Sequence, residues 1–351
     1  MNKIFMSGNH TFGEAAIRAG CRAYFGYPIT PQNELCEYMS DHMRKAGGAF
    51  IQSESEIAAI NMVVGAAATG TRAMTSSSSP GISLKQEGIS FLAGFQLPAV
   101  IVNIMRGGPG MGNIAPAQGD YFQATRGGGH GDYRTPVIAP GSIQEVADLM
   151  FVAFDIADRY RTPVMMLGDG MMGQIKEPVL FPDPIDPKKL PKKEWALRGR
   201  GNGPSRFLAS LVLDPQKMED HNWNLFRKYE EIAQNETRFE TYCTEDADII
   251  AVAYGTTARV AKGAIHQLRD QGLKAGLVRP ITLWPFPDEI LRDLSKKVKR
   301  FLVLEMSTGQ MVEDVRLALE GRAEVLFYGR PGGIIPEPDE FAQVIRDKMK
   351  S

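Results

Sequence analysis

A threonine between two prolines is the first residue in this sequence that could bind a small ligand. Thr30 lies in the segment Tyr27-Pro28-Ile29-Thr30-Pro31, directly after a short apolar run. Pro28 and Pro31 restrict the backbone on either side of Ile29 and Thr30, so little conformational entropy remains to be lost there. The segment is either a stiff connection from a strand to a helix or a turn that presents Thr30 to a ligand.

Arg106 is a second candidate, at the start of the glycine-rich segment RGGPGMG. A guanidinium can bind a carboxylate through two parallel hydrogen bonds and stays charged at any working pH. The segment is not a P-loop, because no Gly-Lys-Ser/Thr ending follows and Pro109 lacks a backbone donor. From these residues alone, a surface arginine at a loop start is an equally good interpretation.

Two glutamates, Glu54 and Glu56, stand where a strand passes into an alanine-rich helix. A carboxylate at a helix N-terminus commonly acts as a cap, and we expect that role for at least one of them. If burial at an interface raised its pKa, the other would be suited to acid–base chemistry.

Three further segments offer weaker signals. His130 and Asp132 lie in the glycine-rich GGGHGDY, where a functional role is as plausible as a structural one. The serine run 75–81 could bind an anion, but a polar turn is the simpler interpretation.

Asp169 in LGDGMMGQ resembles the start of the Mg²⁺-diphosphate site of thiamine-diphosphate enzymes, but residues 188–201 lack the asparagines that complete it. We therefore interpret Asp169 as part of a structural turn and predict no metal site in this chain.

Composition excludes several classes of protein. Hydrophobic residues make up 43% and charged residues 23% of the chain, and the net charge of -1 provides no field for nucleic acid or an anionic membrane. Three scattered cysteines indicate a reducing compartment and cannot hold a cubane iron–sulfur cluster. No signal peptide or membrane-spanning run is recognisable, so we expect a cytoplasmic protein. We interpret a cluster of lysines at 188, 189, 192 and 193 as a solvated linker.

Alternation of short apolar runs with helical patterns predicts an α/β protein with mostly parallel sheets. We predict a first α/β domain at 1–182 and a smaller one at 246–351. The proline- and lysine-rich region 183–245 is predicted to connect them, with some structure of its own that includes a helix near its end.

Taken together, these motifs resemble the alpha (pyrimidine-domain) subunit of the 2-oxoacid:ferredoxin oxidoreductases. The resemblance covers essentially the whole chain, most closely the 3-methyl-2-oxobutanoate (ketoisovalerate) type and next the 2-oxoglutarate type. It is carried by segments 27–34, 54–70, 75–90, 106–112, 127–133, 167–179 and 279–287. It implies a thiamine-diphosphate-binding (pyrimidine-type) domain followed by a domain like the C-terminal domain of transketolase.

The resemblance also implies roles for individual residues. Thr30, assisted by Arg106, would bind the carboxylate of the substrate, with Ile29, Pro31 and Met111 beside it. Alignment of the helix glycines assigns activation of the cofactor, by a hydrogen bond to N1′ of its aminopyrimidine ring, to Glu56, with Glu54 as the fallback. His130 and Asp132 would belong to an active-site loop.

Partner subunits follow from the same resemblance. Thiamine diphosphate would be shared with a beta subunit that holds its diphosphate and Mg²⁺. Iron–sulfur clusters would lie only in partners, namely the beta subunit and a small ferredoxin-like subunit, with a gamma subunit as a further candidate. The reaction would consume a 2-oxoacid and coenzyme A and reduce ferredoxin, and this chain alone should be inactive.

Two alternatives remain open at this point. One is the beta-type subunit of an NAD-linked 2-oxoacid dehydrogenase or half of a split transketolase, although these lack the YPITP and RGGPG segments. The other is a non-catalytic scaffold.

For the substrate, the apolar segment after Arg106 and the flexible Met111 favour 3-methyl-2-oxobutanoate over 2-oxoglutarate, whose distal carboxylate would need another basic residue.

Overall fold

The computed structural model describes residues 3–201, 203 and 205–350. Its strands are β1 (Ile4–Ser7), β2 (Ala23–Gly26), β3 (Ala49–Gln52), β4 (Ala73–Ser77), β5 (Ala99–Met105), β6 (Val137–Ile138), β7 (Pro163–Asp169), β8 (Lys176–Val179), β9 (Phe239–Tyr242), β10 (Ile249–Val252), β11 (Ala275–Pro280), β12 (Thr282–Trp284), β13 (Arg300–Glu305) and β14 (Glu324–Gly329). Its α-helices are α1 (Gly8–Arg18), α2 (Asn33–His42), α3 (Glu56–Ala68), α4 (Ser79–Gly94), α5 (Tyr121–Arg126), α6 (Ile143–Tyr160), α7 (Gly170–Gln174), α8 (Pro215–Asn235), α9 (Gly255–Asp270), α10 (Asp288–Ser295), α11 (Met311–Leu319) and α12 (Pro338–Lys350).

The first sheet has seven strands in the order β12-β6-β7-β5-β4-β2-β3. All neighbouring strands in it are parallel except β12, which pairs antiparallel with β6. Strands β4, β5 and β7 are buried along their whole length, which explains why they read as continuous apolar or small-residue runs. Because parallel strands end at a common edge, the segments after β2, β3, β4 and β5 meet there.

A second sheet has five strands in the order β14-β13-β10-β11-β9. Its first four strands are parallel, and β9 closes the edge in antiparallel orientation. The predicted α/β fold with mostly parallel sheets is confirmed. Region 183–245 contains the 21-residue helix α8 and also β9, which pairs with β11. Strands β1 and β8 form a separate antiparallel pair.

One predicted strand was wrong. The sequence pattern indicated a single strand through 274–282, but the chain turns after Pro280 and forms two strands. Strand β11 stays in the second sheet, whereas β12 crosses over and adds to the first. A contact between β12 and β6, more than a hundred residues apart, is not visible in local periodicity.

Buried polar contacts also tie the two sheets together. Gln118 is fully buried and donates from Nε2 to the carbonyl of Tyr254 at 3.0 Å, while its Oε1 accepts from the Thr257 hydroxyl at 2.7 Å. Arg279 in β11 binds Glu145 of α6 at 2.7 Å and Glu240 of β9 at 2.9 Å. No helix within the described ranges is long and apolar enough to cross a membrane.

Candidate active site

Thr30 and Arg106, which the sequence singled out separately, are in direct contact. Arg106 donates from Nη1 to the backbone carbonyl of Thr30 at 2.9 Å and from Nη2 to the carbonyl of Met111 at 3.1 Å. The Arg106 side chain is buried, and its Nε has no hydrogen-bond partner among the described residues. Since a guanidinium carries five N–H donors, Arg106 retains donors beyond the two that bind these carbonyls.

The remaining residues of the proline-rich turn differ in exposure. Pro31 is buried, Ile29 and Thr30 are half-buried, and Met111 on the facing loop is 79% exposed. The hydroxyl of Thr30 accepts a hydrogen bond from Asn33 Nδ2 at 3.3 Å. Thr30 therefore bonds Arg106 through its backbone, and within the described part of the chain its hydroxyl has this one long contact.

A buried polar network beneath Arg106 holds the start of its loop. Ser79, the first residue of α4, accepts from the backbone N–H of Arg106 at 3.0 Å and donates to the Asp120 carboxylate at 2.6 Å. Asn103 of β5 donates to the same Asp120 oxygen at 2.9 Å and accepts from the Ser79 N–H at 3.1 Å. Burial raises the pKa of Asp120, and the hydrogen bonds from Ser79 and Asn103 oppose that shift.

The sequence did not point to Asn103 or Asp120 as site residues, and Ser79 was noted only as part of the serine run 75–81, for which a polar turn was the simpler interpretation. These three residues lie 17 to 41 residues apart, and Ser79 and Asp120 have an ordinary local explanation as residues at helix starts. One feature of the sequence could have indicated this network. Asn103 lies within a strand that is buried along its whole length, and a buried side-chain amide needs hydrogen-bond partners.

Glu56 and Glu54 occupy different environments. Glu56 is the first residue of α3 and is 6% exposed, whereas Glu54 is exposed. The cap of α3 is Ser55, whose hydroxyl oxygen accepts from the Ala58 N–H at 3.2 Å. Neither glutamate side chain therefore supplies the cap that the sequence predicted for at least one of them.

The carboxylate of Glu56 lies against Gly81 in the first turn of α4. A Cβ added to Gly81 would lie 2.6 Å from Glu56 Oε1 and 2.0 Å from Ser77 Oγ, so only glycine fits there. The hydroxyls of Ser77 and Ser78 are buried without a hydrogen-bond partner among the described residues. Buried hydroxyls normally have a hydrogen-bond partner, so a polar group from outside the described residues could bond to these two.

Lys85 lies one turn along α4 and is fully buried. Its Nζ donates to the backbone carbonyl of Glu56 at 3.4 Å. Burial lowers the pKa of Lys85 to about 8, although the charge of Glu56 opposes this shift. A buried cation thus lies close to Glu56, and sequence reasoning did not single it out.

His130 and Asp132, the predicted active-site loop residues, lie on a different loop from the residues described above. His130 and Asp132 are exposed, and their side chains have no hydrogen-bond partner in the described part of the chain. Their loop is attached to α4 through Gln86, whose Oε1 accepts from the Gly128 N–H at 3.1 Å. Among the described residues, no hydrogen bond or ion pair joins this loop to Thr30, Arg106 or Glu56.

Asp169 caps α7. Its Oδ1 accepts from the Met172 N–H at 3.0 Å and from the hydroxyl of Thr256 in α9 at 2.9 Å. Burial raises the pKa of Asp169. Its carboxylate therefore connects the first sheet with a helix of the second.

Comparisons with known proteins match two segments of this chain to two family models. Residues 14–243 match the family described as pyruvate flavodoxin/ferredoxin oxidoreductase, thiamine diphosphate-binding. Residues 247–341 match the pyruvate:ferredoxin oxidoreductase core domain II.

Individual relatives are similar along their whole length. Ketoisovalerate oxidoreductase subunit VorB of Methanothermobacter thermautotrophicus is 49% identical over 342 residues, which cover 97% of this chain and 97% of that protein. 2-Oxoglutarate synthase subunit KorA of Methanocaldococcus jannaschii is 37% identical over 367 residues, which cover 98% of this chain and 100% of that protein.

One solved structure is similar over nearly the whole chain. It is the 2-oxoglutarate:ferredoxin oxidoreductase from Magnetococcus marinus with 2-oxoglutarate, coenzyme A and succinyl-CoA bound, with a TM-score of 0.88 and 25% identity. The match covers 99% of this chain and 65% of that longer chain. The family expected from the motifs is confirmed: this chain belongs to the 2-oxoacid:ferredoxin oxidoreductases, and it joins their thiamine-diphosphate-binding domain to their core domain II.

Proposed function

We propose that this chain forms the pyrimidine-side half of the active site of a 2-oxoacid:ferredoxin oxidoreductase. The complex would convert 3-methyl-2-oxobutanoate and coenzyme A to acyl-CoA and CO₂ and would reduce ferredoxin. The observation that carries the proposal is the buried carboxylate of Glu56 against Gly81, at the same sheet edge as the Thr30–Arg106 contact.

The residues around Glu56 fit the aminopyrimidine of thiamine diphosphate. At Gly81 the backbone of α4 approaches Glu56 so closely that no Cβ fits, and the unpaired hydroxyl of Ser77 lies at the same point, with that of Ser78 next along the chain. Glu56 would hold a proton at N1′ of the ring, and its burial keeps water away from that hydrogen bond. When bound, thiamine diphosphate supplies the electron sink for loss of CO₂.

Thr30 and Arg106 would bind the carboxylate that 2-oxoacids share. The N–H donors that Arg106 retains, including the unpaired Nε, suit a charged acceptor in a buried position. The hydroxyl of Thr30 would add one more hydrogen bond from the facing turn.

A branched apolar side chain fits the surroundings of this turn. A cavity of about 280 Å³ beside Pro31 is lined largely by apolar residues, including Ile114, Pro116, Met171 and Ile335. Neither this cavity nor the neighbouring one of about 400 Å³ between the Arg106 loop and 306–310 has a lysine or arginine among its described lining residues. The distal carboxylate of 2-oxoglutarate would therefore lack a cation. Identities of 49% and 37% to the two kinds of relative point the same way.

The other parts of the enzyme would come from partners. We infer that a beta subunit holds Mg²⁺ and the diphosphate, and that iron–sulfur clusters lie in that subunit and in a small ferredoxin-like subunit, with a gamma subunit as a further candidate. Within the described residues no three His, Cys, Asp or Glu side chains are grouped as a metal site would require.

Substrate profiling of the reconstituted complex tests the proposal. Under anaerobic conditions, 3-methyl-2-oxobutanoate should support coenzyme A-dependent viologen reduction with the highest kcat/KM, ahead of 2-oxoglutarate, pyruvate and aryl 2-oxoacids. Preference for 2-oxoglutarate would overturn the substrate assignment alone. Reduction of NAD⁺ in place of viologen would instead indicate an NAD-linked dehydrogenase.

Glu56→Gln and Glu54→Gln form a matched pair for the catalytic role. Glu56→Gln should lower kcat by about a hundredfold or more, because general acid–base groups contribute on this scale. Glu54→Gln changes the same charge at an exposed position and should leave kcat within about twofold. If both variants assembled and turned over normally, the scaffold alternative would be favoured.

A further inference from the structure

A basic cavity lies at the other end of the first sheet from Thr30. It has a volume of about 540 Å³ and is lined by residues that precede β2 and β4 and by the segment 187–198. Since Thr30 and Glu56 follow the carboxyl ends of β2 and β3, the length of the strands separates this cavity from the candidate active site.

Six cationic side chains line the basic cavity, and no carboxylate is among its described lining residues. They are Arg22, Arg72, Lys188, Lys192, Lys193 and Arg198. The whole chain has a net charge of only -1, so this concentration of positive charge is local. Like charges that line one cavity repel one another unless an anion lies between them.

Among the described residues, carboxylates neutralise two of the six. Arg72 binds Asp155 at 2.6 Å and Asp158 at 2.8 Å, and Lys193 binds the same Asp158. Burial lowers the pKa of Lys193, and the neighbouring charges of Arg72 and Arg198 lower it further, whereas Asp158 opposes the shift. The negative charges of these two aspartates therefore do not balance the six positive charges.

The other four have no ionic partner in the described part of the chain. Arg22 donates to the carbonyls of Ile17 and Cys21 at 2.9 and 2.7 Å, and Arg198 donates to the carbonyl of Thr69 at 3.3 Å. These carbonyls at the ends of α1 and α3 carry partial charge only. Lys188 and Lys192 are exposed and have no hydrogen-bond partner for Nζ among the described residues.

The lysine-rich segment is attached to the domain rather than free. Its flanks form backbone hydrogen bonds, from the Ile185 N–H to the carbonyl of Arg18 at 2.7 Å and from the Leu197 N–H to that of Ala68 at 2.8 Å. Both bonds end at helix C-termini that border the cavity. The segment therefore holds Lys188 and Lys192 over the cavity, which a solvated linker would not do.

We propose that the basic cavity binds a small phosphate-bearing ligand with at least two negative charges. Guanidinium groups bind phosphate oxygens bidentately, and lysines add point charges. Hydroxyls of Thr69 and Thr71, 2.9 Å apart, line the same cavity. Thr69 donates to the carbonyl of Ala66 at 2.7 Å, so it is the Thr71 hydroxyl that can turn from Thr69 and donate to such an oxygen. No aromatic side chain is among the described lining residues, so recognition should depend on the phosphates and not on a base.

Calorimetric titration with pyrophosphate at constant ionic strength tests this proposal, first on the full chain and then on the assembled complex. Lys188→Gln/Lys192→Gln should weaken pyrophosphate binding about tenfold or more, because it removes two charges from the site. The control Lys217→Gln/Lys297→Gln removes the same charge from exposed residues of α8 and of the segment after α10. It should change the dissociation constant less than about twofold.

Titrations with different anions distinguish the possible ligands of the basic cavity. ADP should bind about as tightly as pyrophosphate, and inorganic phosphate more weakly. Equal loss of binding in both double variants, or no saturable pyrophosphate binding, would overturn the proposal. Binding of polyglutamate without binding of pyrophosphate, or loss of the pyrophosphate site on assembly, would overturn it too and would identify an acidic partner segment as the occupant.

Discussion

Arg106 and Thr30 are joined by a hydrogen bond of 2.9 Å across 76 residues of sequence, from the guanidinium Nη1 to the backbone carbonyl. The arginine therefore fixes the position of the proline-rich turn without using the hydroxyl of Thr30. This separates two functions that mutation can test independently, namely the geometry of the turn and the chemistry of the threonine side chain.

Replacement of Thr30 by valine tests the side chain. Thr30→Val should raise KM for the 2-oxoacid about tenfold while the apparent KM for thiamine diphosphate stays within about twofold, because one hydrogen bond to a charged group is lost. The backbone contact with Arg106 remains. Thr30→Ser keeps the hydroxyl and should restore most of the affinity; unchanged oxoacid kinetics in the valine variant would contradict a role for Thr30 in substrate binding.

Replacement of Ser79 by alanine tests the network beneath Arg106. Ser79→Ala leaves the buried Arg106 N–H without its acceptor and should lower the free energy of unfolding by about 1–3 kcal/mol. Because Arg106 then loses its support, KM for the oxoacid should rise as well. Denaturant titration and steady-state kinetics measure the two effects.

Ser40→Ala is the matched control for Ser79→Ala. Ser40 lies in α2 and is exposed. Its replacement should change the free energy of unfolding by less than about 0.5 kcal/mol and leave KM unchanged. Equal effects of the two substitutions would show that Ser79 does not position Arg106.

Replacement of Gly81 by alanine tests the space beside Glu56. The new Cβ would lie too close to Glu56 Oε1 and Ser77 Oγ, so both side chains must move. Gly81→Ala should raise the apparent KM for thiamine diphosphate at least about tenfold. In α9, Gly263→Ala meets only ordinary contacts with Pro338, so it should leave that KM unchanged and stabilise its helix by about 1 kcal/mol. A Gly81→Ala enzyme with normal cofactor affinity would argue against this site.

Lys85 should make stability depend on pH. Burial lowers its pKa from 10.5 to about 8, so between these values the folded chain binds fewer protons than the unfolded chain. The free energy of unfolding therefore rises with pH across this window. It falls again as the pH falls through the folded-state pKa of about 8, where Lys85 becomes charged while buried. Lys85→Met should raise the free energy of unfolding at pH 7 by up to about 3 kcal/mol and flatten this rise.

Chemical denaturation of the isolated chain from pH 7 to 10.5 measures this effect. The exposed substitution Lys217→Met serves as the control and should leave the slope of stability against pH unchanged. A Lys85→Met variant with the slope of the unsubstituted chain would show that Lys85 keeps its ordinary pKa in the folded state.

Local patterns in the sequence were sufficient for the fold class and for several candidate residues. Thr30, Arg106 and Glu56 each follow a strand, and a parallel sheet brings strand ends to one edge, so the contact of Thr30 with Arg106 could be predicted, whereas the role of Glu56 stays a prediction. The helix in the connecting region was also predicted and is confirmed as α8. The division of 274–282 into two strands was not predicted, because it depends on the contact between β12 and β6.

The sequence by itself determined the type of fold, the family and the residues at the strand ends, because these depend on local periodicity and contiguous motifs. Only the tertiary structure decided which atoms of those residues meet. It assigned the carbonyl of Thr30 to Arg106, the support of Arg106 to Ser79 and Asp120, and a buried position to Lys85. The physical reason is that desolvation and hydrogen-bond pairing depend on neighbours distant in sequence, and no local pattern records those neighbours.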